Sequence, residues 1–269
     1  MHDIDLDAYL ARIGWTGPAR PTLRTLGSLA SHHAASIAFE NLNPLLGLPV
    51  SLDPQAVERK LVRDGRGGYC FEHNLLFSLA LRAIGFEVSG LAARVIWNQP
   101  EDAITTRGHM VLRVDLEGET WLVDVGFGGM TLTGAIKLEA GVEQATPHEP
   151  FRLIIADGEW RMQVRLGQEW KSQYRFDLQR QQPQDYEPVN YYLSTHPSSH
   201  FVHGLIAARA VPDRRLALRN REFAVHPLGG ETRRRTLGSA AEIIDVLERE
   251  FLLNLAGLPQ LAARLDTLP

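Results

Sequence analysis

A chain of 269 residues with 44% hydrophobic content has material for a sizeable buried core, in one large domain or two to three small ones. Its formal net charge of −4 offers no broad attraction for nucleic acid or anionic lipid, which draw on a clustered basic excess, so neither a nucleic acid nor a membrane is expected as partner. The acidic opening Met1–Asp7 is unlike a basic signal-peptide start and no apolar run reaches membrane-spanning length, which predicts a cytoplasmic protein.

Apolar residues recur at helical spacing over Ile4–Ile13 and, after the Gly17-Pro18 break, over Thr22–Ala35, so the opening region reads as helix-rich. Asn43-Pro44 reads as a turn. Asp53 then caps a helix with Pro54 at its first position, running to about Val62. The glycine-rich stretch Arg63–Gly68 breaks the pattern. Leu75, Leu76, Leu79 and Ala83 mark a further helix that Cys70 opens and Gly85 ends. Here the period changes: Val88–Trp97, Met110–Leu116 and Trp121–Val125 are rich in β-branched residues, and Phe151–Leu166 is split by the hairpin signal Asp157-Gly158. In Trp170, Ser172, Tyr174, Phe176 and Leu178 every second residue falls on one strand face. Residues 88–195 therefore read as an antiparallel sheet or barrel. Short strands at Leu216–Leu218 and Glu222–Val225, then a helix from Ser239 through Ile244, Leu247 and Phe251, make an α/β closing region; Glu242 stands at capping-box spacing from Ser239. The expected fold class is α+β in three regions, 1–87, 88–195 and 196–269, packed as one body.

One cysteine cannot form an internal disulfide, so Cys70 is either buried filler or a reagent. It follows Gly67-Gly68-Tyr69 at a helix start, where unpaired N–H groups and the helix dipole favour a thiolate. A nucleophilic thiol needs a base within reach and a third group to orient that base. Among ten histidines, His109 stands out at the head of an apolar strand, and Asp124 lies in the apolar strand that follows, where an unpaired carboxylate is costly. If Glu117-Gly118 is a two-residue hairpin loop, Leu116 pairs with Glu119 and His109 falls opposite Gly126. Asp124 is then a diagonal neighbour of His109 on one face, roughly 7–8 Å away between Cα atoms. A slip of one residue would put the two on opposite faces.

Three blocks resemble the arylamine N-acetyltransferase family: Phe39-Glu40-Asn41-Leu42; Arg66-Gly67-Gly68-Tyr69-Cys70-Phe71-Glu72-His73-Asn74; and Arg94-Val95 through Arg107-Gly108-His109-Met110 to Leu122-Val123-Asp124-Val125-Gly126-Phe127-Gly128-Gly129. They cover about the first half of the chain, and the last third resembles the family only in length and general pattern. The resemblance implies a helical bundle, a β-barrel and an α/β lid around a Cys70–His109–Asp124 triad. It also implies acetyl-coenzyme A as co-substrate, no metal, and an arylamine, hydrazine or arylhydroxylamine as acceptor, in a monomer or homodimer. Phe39 and Phe127 would line the substrate pocket, with Gly126, Gly128 and Gly129 bordering the acyl site. Two departures stand out: Arg107-Gly108 precedes the histidine where many relatives have Thr, and His73 occupies a position often held by Gln.

Cys70 and His73 stand at C-x2-H spacing and His32-His33 would add ligands, but structural zinc favours several cysteines, so exposed helix positions are expected for His32 and His33. Gly126-Phe127-Gly128-Gly129 lacks the full pattern of a phosphate loop and reads as a tight turn. Arg233-Arg234-Arg235 reads as a solvated face, with coenzyme A phosphates the alternative. Glu40 and Arg66 are expected to pair and hold the glycine turn. The rival function is a cysteine hydrolase of the transglutaminase or papain-like kind, which shares the thioacyl chemistry.

Overall fold

The computed structural model describes residues 4–269; the first three residues of the acidic opening lie outside the described residues. Helices α1 (Leu6–Arg12) and α2 (Leu23–Ser36) start where Asp5 and Thr22 accept the N–H groups of Ala8 and Thr25, two caps on orphan donors. Asn43-Pro44 is not a free turn. It lies in a single helical turn, α3 (Leu42–Leu45), with Pro44 in the first turn, where its missing N–H costs nothing. Asp53 and Pro54 begin α4 (Pro54–Glu58) as expected, and the chain then widens into a π-helical turn over Arg59–Arg63. Helix α5 (Cys70–Ile84) runs from the cysteine to Gly85, whose φ of 105° ends it.

An eight-stranded, barrel-like antiparallel sheet follows, in the order β5-β4-β3-β2-β9-β8-β7-β6. Its strands are β2 (Glu87–Val95), β3 (His109–Leu116), β4 (Glu119–Val123), β5 (Ile136–Lys137), β6 (Glu143–Gln144), β7 (Phe151–Ala156), β8 (Glu159–Leu166) and β9 (Glu169–Phe176). The Gln144 side chain accepts the Lys137 N–H at 2.7 Å and donates to its carbonyl at 2.9 Å, drawing the two edges together. Glu117-Gly118 and Asp157-Gly158 both have positive φ, the two-residue turn that matches strand twist. Leu116 faces Glu119 and Leu112 faces Val123, the register the loop predicted. Val111 and Leu122 point into the barrel with Leu91, Ala93, Phe151 and Tyr174, while Met110, Leu112 and Val123 join the helical core with Leu76 and Phe77. Burial on both faces explains why β3 is apolar without alternation over Met110–Leu112.

Three expectations change. The alternation over Trp170–Leu178 does not hold on one face, because a bulge at Gln173 lies between the pairs Gln163↔Ser172 and Met162↔Tyr174. Tyr174 and Phe176 therefore turn into the barrel while Ser172 does not, and Leu178 lies beyond the strand. The sheet does not extend to 195: residues Pro183–Thr195 form helix α6, which packs Tyr186 and Leu193 into the helical core and is followed by α7 (His200–His203). The closing region is also larger than its two short strands. A five-stranded sheet, β1-β10-β11-β12-β13, joins β1 (Phe39–Glu40) to β10 (Ile206–Val211), β11 (Arg214–Arg219), β12 (Glu222–Pro227) and β13 (Arg233–Thr236). Helix α8 (Ala240–Arg249), capped by Ser239, covers one face with Ile243, Val246 and Leu247, beside α9 (Leu261–Asp266). The arginine triplet is exposed along edge strand β13. No helix among the described residues is long and apolar enough to cross a membrane.

Candidate active site

The turn before Cys70 is held from behind. Arg66 pairs with Glu40 at 2.6 Å, both buried, and the other Glu40 oxygen accepts the Leu42 N–H at 2.5 Å. Burial pushes the Glu40 carboxyl up, but Arg66, Lys60 and the Leu42 N–H together outweigh it and hold the group below its ordinary value. At Gly67 a Cβ would stand 2.0 Å from the Ala38 carbonyl oxygen, so only glycine lets β1 pass there. Glu72 accepts the Tyr69 N–H at 3.0 Å and is paired with Lys60 at 2.7 Å, closing the first turn of α5. Cys70 sits on that turn, 5% exposed, with Sγ 3.6 Å from the Gly108 carbonyl oxygen.

His109 is the first residue of β3, and Asp124 directly follows β4. The hairpin register brings them onto one face, where His109 Nε2 donates to Asp124 Oδ2 at 2.6 Å. The second carboxylate oxygen accepts from Asn74 Nδ2 at 2.9 Å and from the Gly126 N–H at 3.0 Å. Asn74, one turn after Cys70, also donates to the Met110 carbonyl and accepts the Val125 N–H, so α5 and the hairpin share one amide. Burial works against a charged imidazole here. The Asp124 carboxylate overcomes it, with a smaller contribution from the neighbouring Cys70, and holds His109 up at about 10. Burial likewise raises Asp124, but His109 and Asn74 together keep it below its ordinary value. With Nε2 committed to Asp124, Nδ1 is the nitrogen left to exchange a proton with the thiol.

A turn over residues 126–131 walls the site. A Cβ on Gly126 would approach the Cys70 Cα and carbonyl oxygen to 2.8 Å, so the glycine permits the closest pass of backbone beside the nucleophile. Phe127 stands edge-on to His109, with centroids 5.3 Å apart, and also edge-on to Trp97. Gly128, at φ 81°, lies against the Phe39 ring, whereas Gly129 borders open space. Phe39, Phe127 and the three glycines thus gather within one neighbourhood around Cys70, His109 and Asp124.

The model of the N-acetyltransferase family matches residues 22–259. The chain belongs to the arylamine N-acetyltransferase family. It is similar to the Mycolicibacterium smegmatis arylamine N-acetyltransferase, 44% identical over 259 residues that make up 95% of this chain and 94% of the relative. The solved Mycobacterium marinum arylamine N-acetyltransferase superimposes with a TM-score of 0.94 at 43% identity, covering 97% of this chain and 98% of that one. The same relative solved in complex with CoA gives 0.94 at 42% identity over the same shares. Similarity thus extends well past the first half of the sequence, into the region where motifs alone carried little.

Within this acyltransferase fold one sequence reading needs correction and two residues were missed. His33 is fully buried, not an exposed helix residue, and His32 is half-buried. The His33 ring is spent on hydrogen bonds: His33 Nε2 donates to His73 Nδ1 at 2.9 Å, Tyr9 donates to His33 Nδ1, and His73 Nε2 donates to the Ala38 carbonyl at 3.1 Å. Both rings are thus engaged with each other and with the main chain. Tyr174 was missed. Its ring lies 5.1 Å from His109, and its buried hydroxyl is held protonated by burial and by the Asp124 carboxylate it stands beside. Trp97 was read only as the end of a strand. An aromatic in a barrel strand is commonplace, so neither carried a signal until β9 and the loop after β2 were folded against His109.

Proposed function

We propose that this enzyme transfers an acetyl group from acetyl-coenzyme A, by way of a thioester on Cys70, to arylamines, arylhydrazines or arylhydroxylamines. The observation that carries the reading is the buried 2.6 Å contact between His109 and Asp124 beside the chain's one cysteine, in a family named for this transfer. The Cys70 thiolate attacks the thioester carbonyl, the sulfur of coenzyme A departs and takes the proton from the His109 imidazolium, and coenzyme A leaves as a neutral thiol. The amine then attacks the acetyl-cysteine carbonyl, neutral His109 receives its proton, and the expelled Cys70 thiolate restores the starting charge pair. Asp124 fixes the tautomer and stabilises the imidazolium without taking the proton. Phe39 and Phe127 supply aromatic walls for a ring-bearing acceptor, and Gly126 lets the main chain lie against the acyl group. The relative bound to CoA supports the coenzyme as acyl carrier.

Incubation with acetyl-coenzyme A alone should add one acetyl group to the peptide containing Cys70, detected by mass spectrometry. An aminobenzoate or aromatic hydrazide should discharge it faster than water, and initial-rate plots at several amine concentrations should be parallel. Intersecting lines with no trapped acetyl group would refute the covalent route. Discharge at equal rates with and without amine would assign the chain to the hydrolases.

A further inference from the structure

We infer that Arg215, on β11 of the five-stranded sheet, is the positioning residue for the turn that carries Phe127 and Gly129, and so sets acceptor binding from outside the barrel. The inference rests on the acetyl-cysteine reading above. Inside the turn, the Phe127 N–H donates to Thr131 Oγ1, which donates to the Asp124 carbonyl, and the Thr131 N–H donates to the Gly128 carbonyl. The carbonyls of Gly129, Met130 and Thr131 each accept from a side chain of another element. Arg215 Nη1 donates to Gly129 at 3.2 Å and to Thr131 at 3.1 Å, and Gln173, the bulged residue of β9, donates to Met130 at 2.7 Å.

Arg215 is 2% exposed, and a buried guanidinium demands a counter-charge. Glu149 provides it: Arg215 Nε donates to Glu149 Oε2 at 2.8 Å, and Nη2 stands 2.7 Å from the same oxygen as a charge contact without hydrogen-bond alignment. Burial raises the Glu149 carboxyl, and Arg215, helped by a backbone N–H and His148, holds it below its ordinary value. The neighbouring His148 bonds Thr133 Oγ1 at 3.0 Å and the Val211 carbonyl at 2.8 Å, so the segment bearing Glu149 is itself fixed to the chain just after the turn and to the sheet. Register places Arg215 two residues from Ala217, which pairs with Ala208, the partner of Phe39. Arg215 and Phe39 therefore rise from one sheet face and meet the turn at two points, Arg215 at Gly129 and Thr131 and Phe39 at Gly128.

The Asp124 carboxylate is bonded by His109, Asn74 and the Gly126 N–H and not by Arg215. The clamp reaches Asp124 only through the Thr131 hydroxyl on its main-chain carbonyl, so loosening it should move the aromatic wall more than the proton-transfer geometry. Displacement of a binding group by about 1 Å costs up to roughly a hundredfold. For Arg215→Lys, Arg215→Met and Glu149→Gln we expect the KM for an aminobenzoate to rise about tenfold or more. The rate of Cys70 acetylation at saturating acetyl-coenzyme A, read as the burst of coenzyme A, should change less than about threefold. The lysine variant should fall between wild type and methionine. Equal slowing of both half-reactions, or an unmoved KM in variants with lowered melting temperature, would overturn the assignment and leave Arg215 a stabilising residue. Should Arg215→Met fail to fold, the lysine and Glu149→Gln variants carry the same comparison. Failure of the acetyl-cysteine reading would be visible separately, as a missing acetyl adduct on wild-type Cys70.

Discussion

His109 carries two opposed influences, and their sizes decide the pH behaviour of the site. Burial alone would make the ring neutral, and Asp124 reverses that so far that the imidazolium persists to about 10. In Asp124→Asn the burial stays while the carboxylate goes, so the ring should lose its proton below the ordinary histidine value. We expect that variant to fold, to lose roughly 10^3 to 10^4 in kcat/KM, and to show its alkaline limb displaced far below the wild-type limb near pH 10. A pH–rate profile from 6 to 11 reads both effects, and a limb left in place would discard Asp124 as the source of the charge. This pair was legible in the sequence because a carboxylate amid Leu122, Val123 and Val125 had to find a partner, and the Glu117-Gly118 turn fixed which histidine it would meet. His33 was not, although its signal was present. It continues the stripe Leu26, Leu29, Ala30 of α2, so its spacing assigns it to the buried face, and residue type alone misled.

At the scale of elements, strong caps and turn residues made α4, α5 and the two hairpins readable, while α6 was hidden. Gln182 and Asp185 do form a capping box with Pro183 at the first position, but Pro188 and a largely polar run obscure the helix, and the packing of Tyr186 on Phe71 and of Leu193 into the helical core decides it. The bulge at Gln173 was equally invisible, since alternation carries no mark of an inserted residue. The start of α5 depends on charges as much as on caps. Arg66→Met would leave Glu40 buried without its partner and should cost about 3–5 kcal/mol in urea unfolding, whereas replacing both by Met should recover most of it. A double variant no more stable than the single one would mean that the pair is needed for the shape of the turn and not for charge balance.

For the molecule as a whole, the Tyr9–His33–His73 chain ties α1, α2 and α5 together through rings that burial holds neutral. Burial and the neighbouring rings and cations push His33 well below its ordinary value, and burial lowers His73 to about 4. Groups with depressed folded-state values stabilise fully above the unfolded value of about 6.5, and that contribution fades as pH falls toward 4. We expect the melting temperature to drop across that window by an amount equivalent to a few kcal/mol, and His73→Gln to flatten the slope; an unchanged slope would place acid sensitivity in the carboxylates. The three-region reading of the sequence overlooked that β1 is a strand of the closing sheet. The Asn41 side chain accepts the Ile206 N–H 165 residues away and donates to the Phe201 and Gly204 carbonyls. Phe39, next door, is thus seated by chain that is synthesised much later. At roughly 5–20 residues per second a ribosome needs on the order of ten to thirty seconds to travel that distance. During that interval Phe127 is already made while Phe39 lacks its sheet partner, so a nascent chain stalled short of β10 would carry Cys70 beside only one of the two aromatic rings in its folded setting.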